Sequence, residues 1–146
     1  MRKDDEPIIV EQMFNAAIET VWNAITDIVE MRQWYFENIP SFKPEVGFKT
    51  QFNVISQRRN FRHMWEVTEV VPMTKITYNW KYDGYSGDSF VVFELFKQNN
   101  LTKLRLTHQV QESFPEGIPE FTRESGVEGW TLFIRKSLKE YLEKNN

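Results

Sequence analysis

The middle of the chain is a run of strand-like segments in which apolar and polar residues alternate. The clearest is 75–82, where every second residue is Ile, Tyr or Trp. The five segments are 46–54, 61–68, 75–82, 89–97 and 103–110. Short turns join most of them, and strands joined in this way pair antiparallel. The sequence therefore predicts a curved antiparallel sheet with one apolar face that another element must cover.

The last part of the chain supplies that cover. In the stretch 120–146 large apolar residues recur every four positions, which is typical of the apolar stripe of an amphipathic helix. The stripe consists of Trp130, Ile134, Leu138 and Leu142. Gly126 and Gly129 lie near the start of this helix, and each costs about 1 kcal/mol relative to alanine. We therefore expect close approach, bending or open space at these two positions.

The residues before the run add a first strand and two short helices. Alternation covers Ile8–Phe14, helical spacing follows over 18–28, and a second short helix is predicted over 31–36. The resulting order is strand, two short helices, five strands and one long helix. At 146 residues the chain fits a single α+β domain spanning 1–146, with a sheet of six or seven strands.

Composition narrows the function classes. The net charge is −3, whereas nucleic-acid-binding surfaces usually carry a basic excess, so no nucleic-acid partner is expected. The chain has no cysteine, which excludes disulfides, a thiol nucleophile and cysteine-ligated metals. No apolar run reaches the roughly 18 residues typical of a membrane span, and the charged first residues lead into no apolar signal segment. A cytoplasmic protein is therefore expected.

The aromatic content points to a binding site. Aromatic residues make up 15% of the chain, and flat rings beside a few polar groups typically line pockets for apolar ligands. The predicted walls, between helix and sheet, are Trp34, Phe52, Trp65, Trp80, Trp130 and Ile134. His63, His108 and Tyr78 are in phase with apolar positions and are the predicted polar anchors. The alternative is that all these rings only fill the core.

Catalysis has less support from the residues. His63 and His108 are the only histidines, and no third ligand at suitable spacing accompanies them, so neither a metal nor a cofactor is predicted. The sequence has no Walker-type, G-x-S-x-G, H-E-x-x-H or G-x-G-x-x-G pattern. An enzyme of the cyclase or hydratase kind, with either histidine as general base, remains an alternative.

Several segments together resemble one protein family. The stretch 14–27, FNAAIETVWNAITD, looks like its opening strand-to-helix signature, and Trp34 follows where the family has a tryptophan. Further matching segments are 45–47, 67–80, 104–108 and 129–130. In this order and spacing they resemble the activator-of-Hsp90-ATPase-homologue (AHSA1) family of the START/Bet v 1-like, or SRPBCC, superfamily.

The resemblance implies a helix-grip fold, in which a curved antiparallel sheet wraps a long C-terminal helix and leaves a cavity between them. The superfamily includes lipid and hormone binders, polyketide cyclases and co-chaperone domains, so the fold alone does not choose a function. The leading prediction is non-catalytic binding of a small apolar or amphipathic molecule in that cavity. The second is a chaperone-interaction or stress-response module that contacts an Hsp90-type protein through the outer sheet face or the loop 83–87.

Overall fold

The main element of the fold is an antiparallel sheet, seen in a computed structural model that describes residues 1–144. Within that range the sheet has six strands in the order β1-β6-β5-β4-β3-β2, so the first strand lies beside the last. The strands are β1 Ile8–Phe14, β2 Lys49–Ser56, β3 Arg59–Val71, β4 Lys75–Tyr82, β5 Asp88–Gln98 and β6 Leu101–Glu112. The predicted antiparallel sheet is confirmed.

Tight turns set the register of the hairpins. Gln57 and Arg58 join β2 to β3 with φ values of 48° and 71°, and two positive values suit the twist of antiparallel strands. Met73 lies in the turn between β3 and β4 with a φ of 63°, and Asn99 lies in the turn between β5 and β6 with a φ of 58°. Alternate residues of each strand consequently face inward, as the burial of Ile76, Tyr78 and Trp80 on β4 shows.

Two short helices link the edge strands β1 and β2. They are α1 Ile18–Thr26 and α2 Ile28–Trp34. Asp27 separates them, because its side chain accepts a hydrogen bond from the Glu30 backbone N–H and so caps α2. The sequence placed the second helix at 31–36; this was wrong at both ends, since the Asp27 cap starts α2 earlier and the helix stops before Tyr35.

The C-terminal helix, residues 123–144, has three consecutive segments. They are α3 Arg123–Thr131, a π-helical segment Leu132–Leu138 and α4 Lys139–Lys144. A 3₁₀ turn, Pro119–Phe121, precedes it, and Thr122 caps α3 by accepting from the Ser125 backbone N–H. The helix therefore begins at residue 123 rather than 120, and the last two residues of the predicted stretch lie outside the described residues.

The two glycines of α3 have different surroundings. A Cβ at Gly126 would lie 2.9 Å from Cδ1 of Ile8, so this glycine lets the helix approach β1 closely. A Cβ at Gly129 would meet nothing within 4 Å. The expected close approach therefore occurs at Gly126, and the open space occurs at Gly129.

Buried apolar side chains form two clusters. The main core lies between the C-terminal helix and the inner face of the sheet, and α1 and α2 close its sides. A smaller end cluster joins β3, β6 and the segment before α3; its buried members are Phe61, Val110, Phe114 and Phe121. None of the helices within residues 1–144 has the length and apolar character that a membrane span requires.

Candidate functional site

All the predicted site residues lie together in the main core. Each is at most 6% exposed. They are Trp34 on α2, Phe52 on β2, His63 and Trp65 on β3, Tyr78 and Trp80 on β4, His108 on β6, Trp130 on α3 and Ile134 in the π-helical segment. The structure thus brings them to one place between helix and sheet. Their role in binding a ligand stays a prediction.

Two rings that the sequence did not single out occupy the centre of this group. Tyr35 and Phe36 follow α2 directly, and their ring centroids lie 5.0 Å apart. The Tyr35 ring stacks on Trp34 at 4.5 Å and lies 5.4 Å from Trp65 on the sheet and 6.0 Å from Trp130 on the helix. Tyr35 therefore contacts both layers of the domain.

Phe36 extends the same contact toward β2 and β3. Its ring centroid lies 5.1 Å from Phe52, 5.2 Å from His63 and 5.0 Å from Phe133 of the C-terminal helix. We call Tyr35 and Phe36 the aromatic plug, because their rings fill the space between the sheet and the helix. The sequence predicts a helix over 31–36 and therefore gives Tyr35 and Phe36 no separate role.

A signal for the plug is nonetheless present in the sequence. Residues 34–36 are three consecutive aromatics, and successive residues of a helix point about 100° apart. Three such side chains cannot all lie on the buried face of one helix. At least one must be exposed, or the helix must end, as it does here at Trp34.

The Tyr35 hydroxyl is paired inside the core. Its oxygen lies 2.9 Å from the hydroxyl oxygen of Tyr78. Burial raises the pKa of both phenols above the usual range, so both stay protonated at neutral pH. This pair is a neutral hydrogen bond between the plug and β4 and carries no charge that a ligand could use.

A chain of hydrogen bonds fixes His108. The Trp130 Nε1–H donates to His108 Nδ1 at 3.0 Å. Because an indole nitrogen only donates, the imidazole proton lies on Nε2, which donates to Ser89 Oγ at 2.8 Å. Ser89 Oγ donates in turn to the Trp80 carbonyl oxygen at 2.7 Å. Burial lowers the pKa of His108 to about 4, so the ring is neutral and orients Trp130.

His63 is also neutral and enclosed by rings. Its Nδ1 lies 3.0 Å from the Phe61 carbonyl oxygen, so Nδ1 carries the proton and donates it. Phe52 stacks on the imidazole at 5.1 Å, and Tyr82 meets it edge-on at 4.8 Å. Burial lowers the pKa of His63 to about 4. Residues 1–144 contain no group of three or more His, Cys, Asp or Glu side chains that could hold a metal ion.

The π-helical segment forms the helix side of the site. Phe133 lies within it, and its ring centroid is 5.0 Å from Tyr35 as well as from Phe36. Turns of π-helix are rare and often occur at functional sites. The strict four-residue spacing of the apolar stripe was the sequence signal, because each such step drifts by about 40° on an α-helix of 3.6 residues per turn. One wider turn offsets that drift.

Two buried polar atoms have no hydrogen-bond partner among the described residues. They are Nε1 of Trp65 and Oγ1 of Thr50. The two residues are cross-strand partners on β3 and β2, and they are 2% and 8% exposed. The sequence predicts Trp65 only as an apolar wall and gives no role to Thr50.

A groove reaches the plug from solvent. It has a volume of about 440 Å³ and lies between α2 and the C-terminal helix. Its lining includes Trp34 and Tyr35 on one side and Ser137 and Tyr141 on the other. Tyr35 therefore belongs both to the wall of this groove and to the main core.

Solved structures of several bacterial proteins are similar to this chain. A Chromobacterium violaceum protein has a TM-score of 0.77 and 20% identity, covering 94% of this chain and 96% of that one. A Mesorhizobium loti protein has a TM-score of 0.76 and 24% identity, covering 97% and 99%. The solution structure of the Aha1 dimer from Colwellia psychrerythraea has a TM-score of 0.70 and 21% identity, covering 95% and 97%.

At these identities the likeness shows the fold alone, and it confirms the predicted helix-grip architecture. No curated protein sequence matches this chain. The family model described as Activator of Hsp90 ATPase homolog 1-like protein matches residues 15–143, which is most of the chain. This protein therefore belongs to the Activator of Hsp90 ATPase homolog 1-like family.

Proposed function

We propose that this protein binds a small apolar or amphipathic molecule between the C-terminal helix and the sheet, where the ligand replaces the aromatic plug. The observation that carries the proposal is which segments of the chain supply the aromatic rings of the main core. Strands and helices supply most of the surrounding rings, whereas the connection between α2 and β2 supplies Tyr35, Phe36 and the neighbouring Phe42. Segments outside regular elements open at lower free-energy cost than core strands.

The groove between α2 and the C-terminal helix supports the same proposal. Tyr35 is part of its lining, and on this proposal a movement of the residues after Trp34 joins the groove to the interior. The seven-residue π-helical segment faces the plug through Phe133, which places an irregular helix turn beside the exchanged rings. The walls and polar anchors of the proposed binding site are the residues that the sequence predicts, and Phe133 is a further wall residue.

The size of the plug sets a lower limit on the ligand. An aromatic side chain buries about 150–250 Å², so the two rings together bury about 300–500 Å². Burial of apolar area contributes about 25 cal/mol per Å², before the cost of ordering. A ligand smaller than two rings would not compensate for exposing the plug. We therefore expect fused or linked aromatic rings, or an apolar chain of similar area.

The test uses the neutral fluorescent probe 1-anilinonaphthalene and the variant Phe36→Ala. Wild-type protein should bind the probe measurably, and Phe36→Ala should bind it about tenfold more tightly. Burial of the Phe36 ring stabilises the closed protein, in which the plug fills the site, by about 2 kcal/mol. A difference of about 1.4 kcal/mol corresponds to a tenfold change in affinity. Fluorescence titration of probe into protein gives both dissociation constants.

Phe48→Ala is the matched control, because Phe48 is also half-buried and packs on Phe42 at 6.1 Å rather than on the plug. It should leave the affinity for the probe unchanged. Cooperative thermal unfolding of each variant shows that the probe is not binding to unfolded chain. Absence of probe binding to the wild-type protein would contradict the proposal, whatever the Phe36→Ala variant does.

The other two predicted functions differ from this proposal in observable ways. Contact with an Hsp90-type chaperone through the outer sheet face would leave Tyr35 and Phe36 in place. General-base catalysis has less support, because the hydrogen bonds of His63 and His108 lead to uncharged groups. Ligand binding is the function that the arrangement of the main core supports best.

A further inference from the structure

We infer that Thr50 and Trp65 form a polar anchor that selects ligands with an uncharged hydrogen-bond acceptor, such as the carbonyl oxygen of an aromatic ketone. This inference rests on the proposed function, since it names the chemistry of the molecule that replaces the plug. It begins from the two buried polar atoms that the described residues leave unpaired.

The two side chains are placed to act together. Thr50 and Trp65 are opposite each other in the β2–β3 register, and opposite residues on one face of an antiparallel pair have neighbouring Cβ atoms. An indole N–H only donates, whereas a threonine hydroxyl can donate or accept. The pair therefore carries two potential hydrogen-bond donors on one face of the sheet.

The other polar groups of the site each have at least one hydrogen-bond partner among residues 1–144. His108 is bonded at both ring nitrogens, His63 donates through Nδ1 to a backbone carbonyl, and Tyr78 is bonded to Tyr35. Buried polar groups in folded proteins almost always have partners. The unpaired N–H of Trp65 is therefore the feature that points to an acceptor from outside the chain.

The Trp65 side of the anchor borders the space that the plug fills. The Trp65 ring centroid is 5.4 Å from Tyr35 and 6.0 Å from Phe36. A ligand in place of those rings contacts Trp65 directly. The rest of the surroundings is aromatic, with Phe52 at 4.9 Å and Tyr78 at 4.8 Å from the same indole. An uncharged acceptor suits this apolar site better than a carboxylate, whose burial without a cation is costly.

The experiment compares two probes of nearly equal shape, 2-acetylnaphthalene and 2-ethylnaphthalene. Their affinity ratio, ketone over hydrocarbon, is measured by tryptophan fluorescence for the wild-type protein, Trp65→Phe and Thr50→Val. Trp65→Phe should lower the ratio by about threefold to tenfold, the range for loss of one hydrogen bond. Thr50→Val should lower it less. Both changes keep a side chain of similar shape.

Trp22→Phe is the matched control, because Trp22 is a buried indole of α1 outside the site. It should leave the ratio unchanged. An independent measurement is the infrared carbonyl stretch of bound 2-acetylnaphthalene. It should lie at lower frequency in the wild-type complex than in the Trp65→Phe complex, because a hydrogen bond weakens the C=O bond.

The possible failures are distinguishable. If both probes bind and the ratio is the same in all four proteins, the anchor is disproved while the proposed function stands; Thr50 and Trp65 then hold a water molecule only. If neither probe binds the wild-type protein, the proposed function fails and the anchor fails with it. A lowered ratio in Trp65→Phe together with the infrared shift supports the anchor.

Discussion

The main core and the end cluster are built from the same kinds of ring, and connecting segments supply rings to both, but they differ in their polar content. The main core encloses two histidines, a tyrosine pair and two unpaired polar atoms, and a connecting segment supplies its central rings. In the end cluster, the Met1 ammonium donates to the Phe121 carbonyl oxygen, and the Phe114 backbone N–H donates to the Met1 carbonyl oxygen.

The close packing of the end cluster is also visible at Gly87. A Cβ at this residue would lie 2.3 Å from the Phe114 ring, and its φ of +115° is strained for any other residue. Rings from connecting segments occur in both regions, so neither aromatic content nor the origin of the rings by itself marks a site. The informative feature is the pair of buried polar atoms that the described residues leave unpaired.

The largest expected effect is the loss of the Phe121 ring. Phe121 is 2% exposed and lies 5.0–5.5 Å from the rings of Tyr82, Phe61 and Phe114. Phe121→Ala should lower the free energy of unfolding by about 3–5 kcal/mol, since it opens a cavity among fixed neighbours. Phe36→Ala should lower the free energy of unfolding by only about 2 kcal/mol, because Phe36 is half-buried rather than fully buried.

Urea denaturation at pH 7 measures both values. Probe binding should recover part of the loss in Phe36→Ala and none of it in Phe121→Ala, because only the former opens the proposed site. Equal costs without recovery would mean that the plug is as permanent as the end cluster, and the distinction between the two regions would disappear.

Acid should weaken the main core through its histidines. Burial lowers the pKa of His63 and His108 to about 4 from 6.5. Between these values the unfolded chain binds protons that the folded chain does not, so stability falls as the pH drops from about 6.5 toward 4. Each histidine should lower the free energy of unfolding by about 2 kcal/mol between pH 7 and pH 5.

The check is the difference between the wild-type protein and His63→Phe in urea denaturation at the two pH values. The variant should lose about 2 kcal/mol less on acidification, because carboxylates elsewhere titrate equally in both proteins. An identical loss in the two proteins would show that His63 does not stay neutral in the folded state.

The smallest expected effect concerns the bond between the plug and β4. Tyr35→Phe and Tyr78→Phe should each lower the free energy of unfolding by about 1–2 kcal/mol, because each leaves the other hydroxyl buried and unpaired. The double variant should cost about 1 kcal/mol less than the sum of the two. Thermal and urea unfolding of the four proteins give this coupling. Additive costs would mean that the two hydroxyls do not bond each other.

Most of the architecture could be predicted, because periodicity reports which face of an element is buried. Alternation found every strand, although β2 begins three residues later and β3 ends three residues later than predicted. It also put His63 and His108 on the inner face, where both lie. The four-residue stripe placed Trp130 and Ile134 against the sheet. These are local patterns imposed by one large buried surface, so one sequence is enough to read them.

The plug and the hydrogen-bond partners could not be read in the same way. Tyr35 and Phe36 lie in a connection, where no period exists. The bonds from His108 to Ser89 and Trp130 join residues distant in the chain, and their geometry depends on the register of the whole sheet. The missing partner of Trp65 is a property of the completed core, because it requires every neighbouring atom to be placed.

The π-helical segment lets the C-terminal helix hold one residue more between Trp130 and Leu142 than three α-helical turns would need. On an ordinary α-helix, twelve steps of about 100° leave these residues about 120° apart, whereas eleven steps leave them about 20° apart. Deleting one residue from 132–138 would therefore return the segment to α-helical pitch and keep Trp130 and Leu142 on the sheet side. The helix can lose a residue here without losing its apolar face.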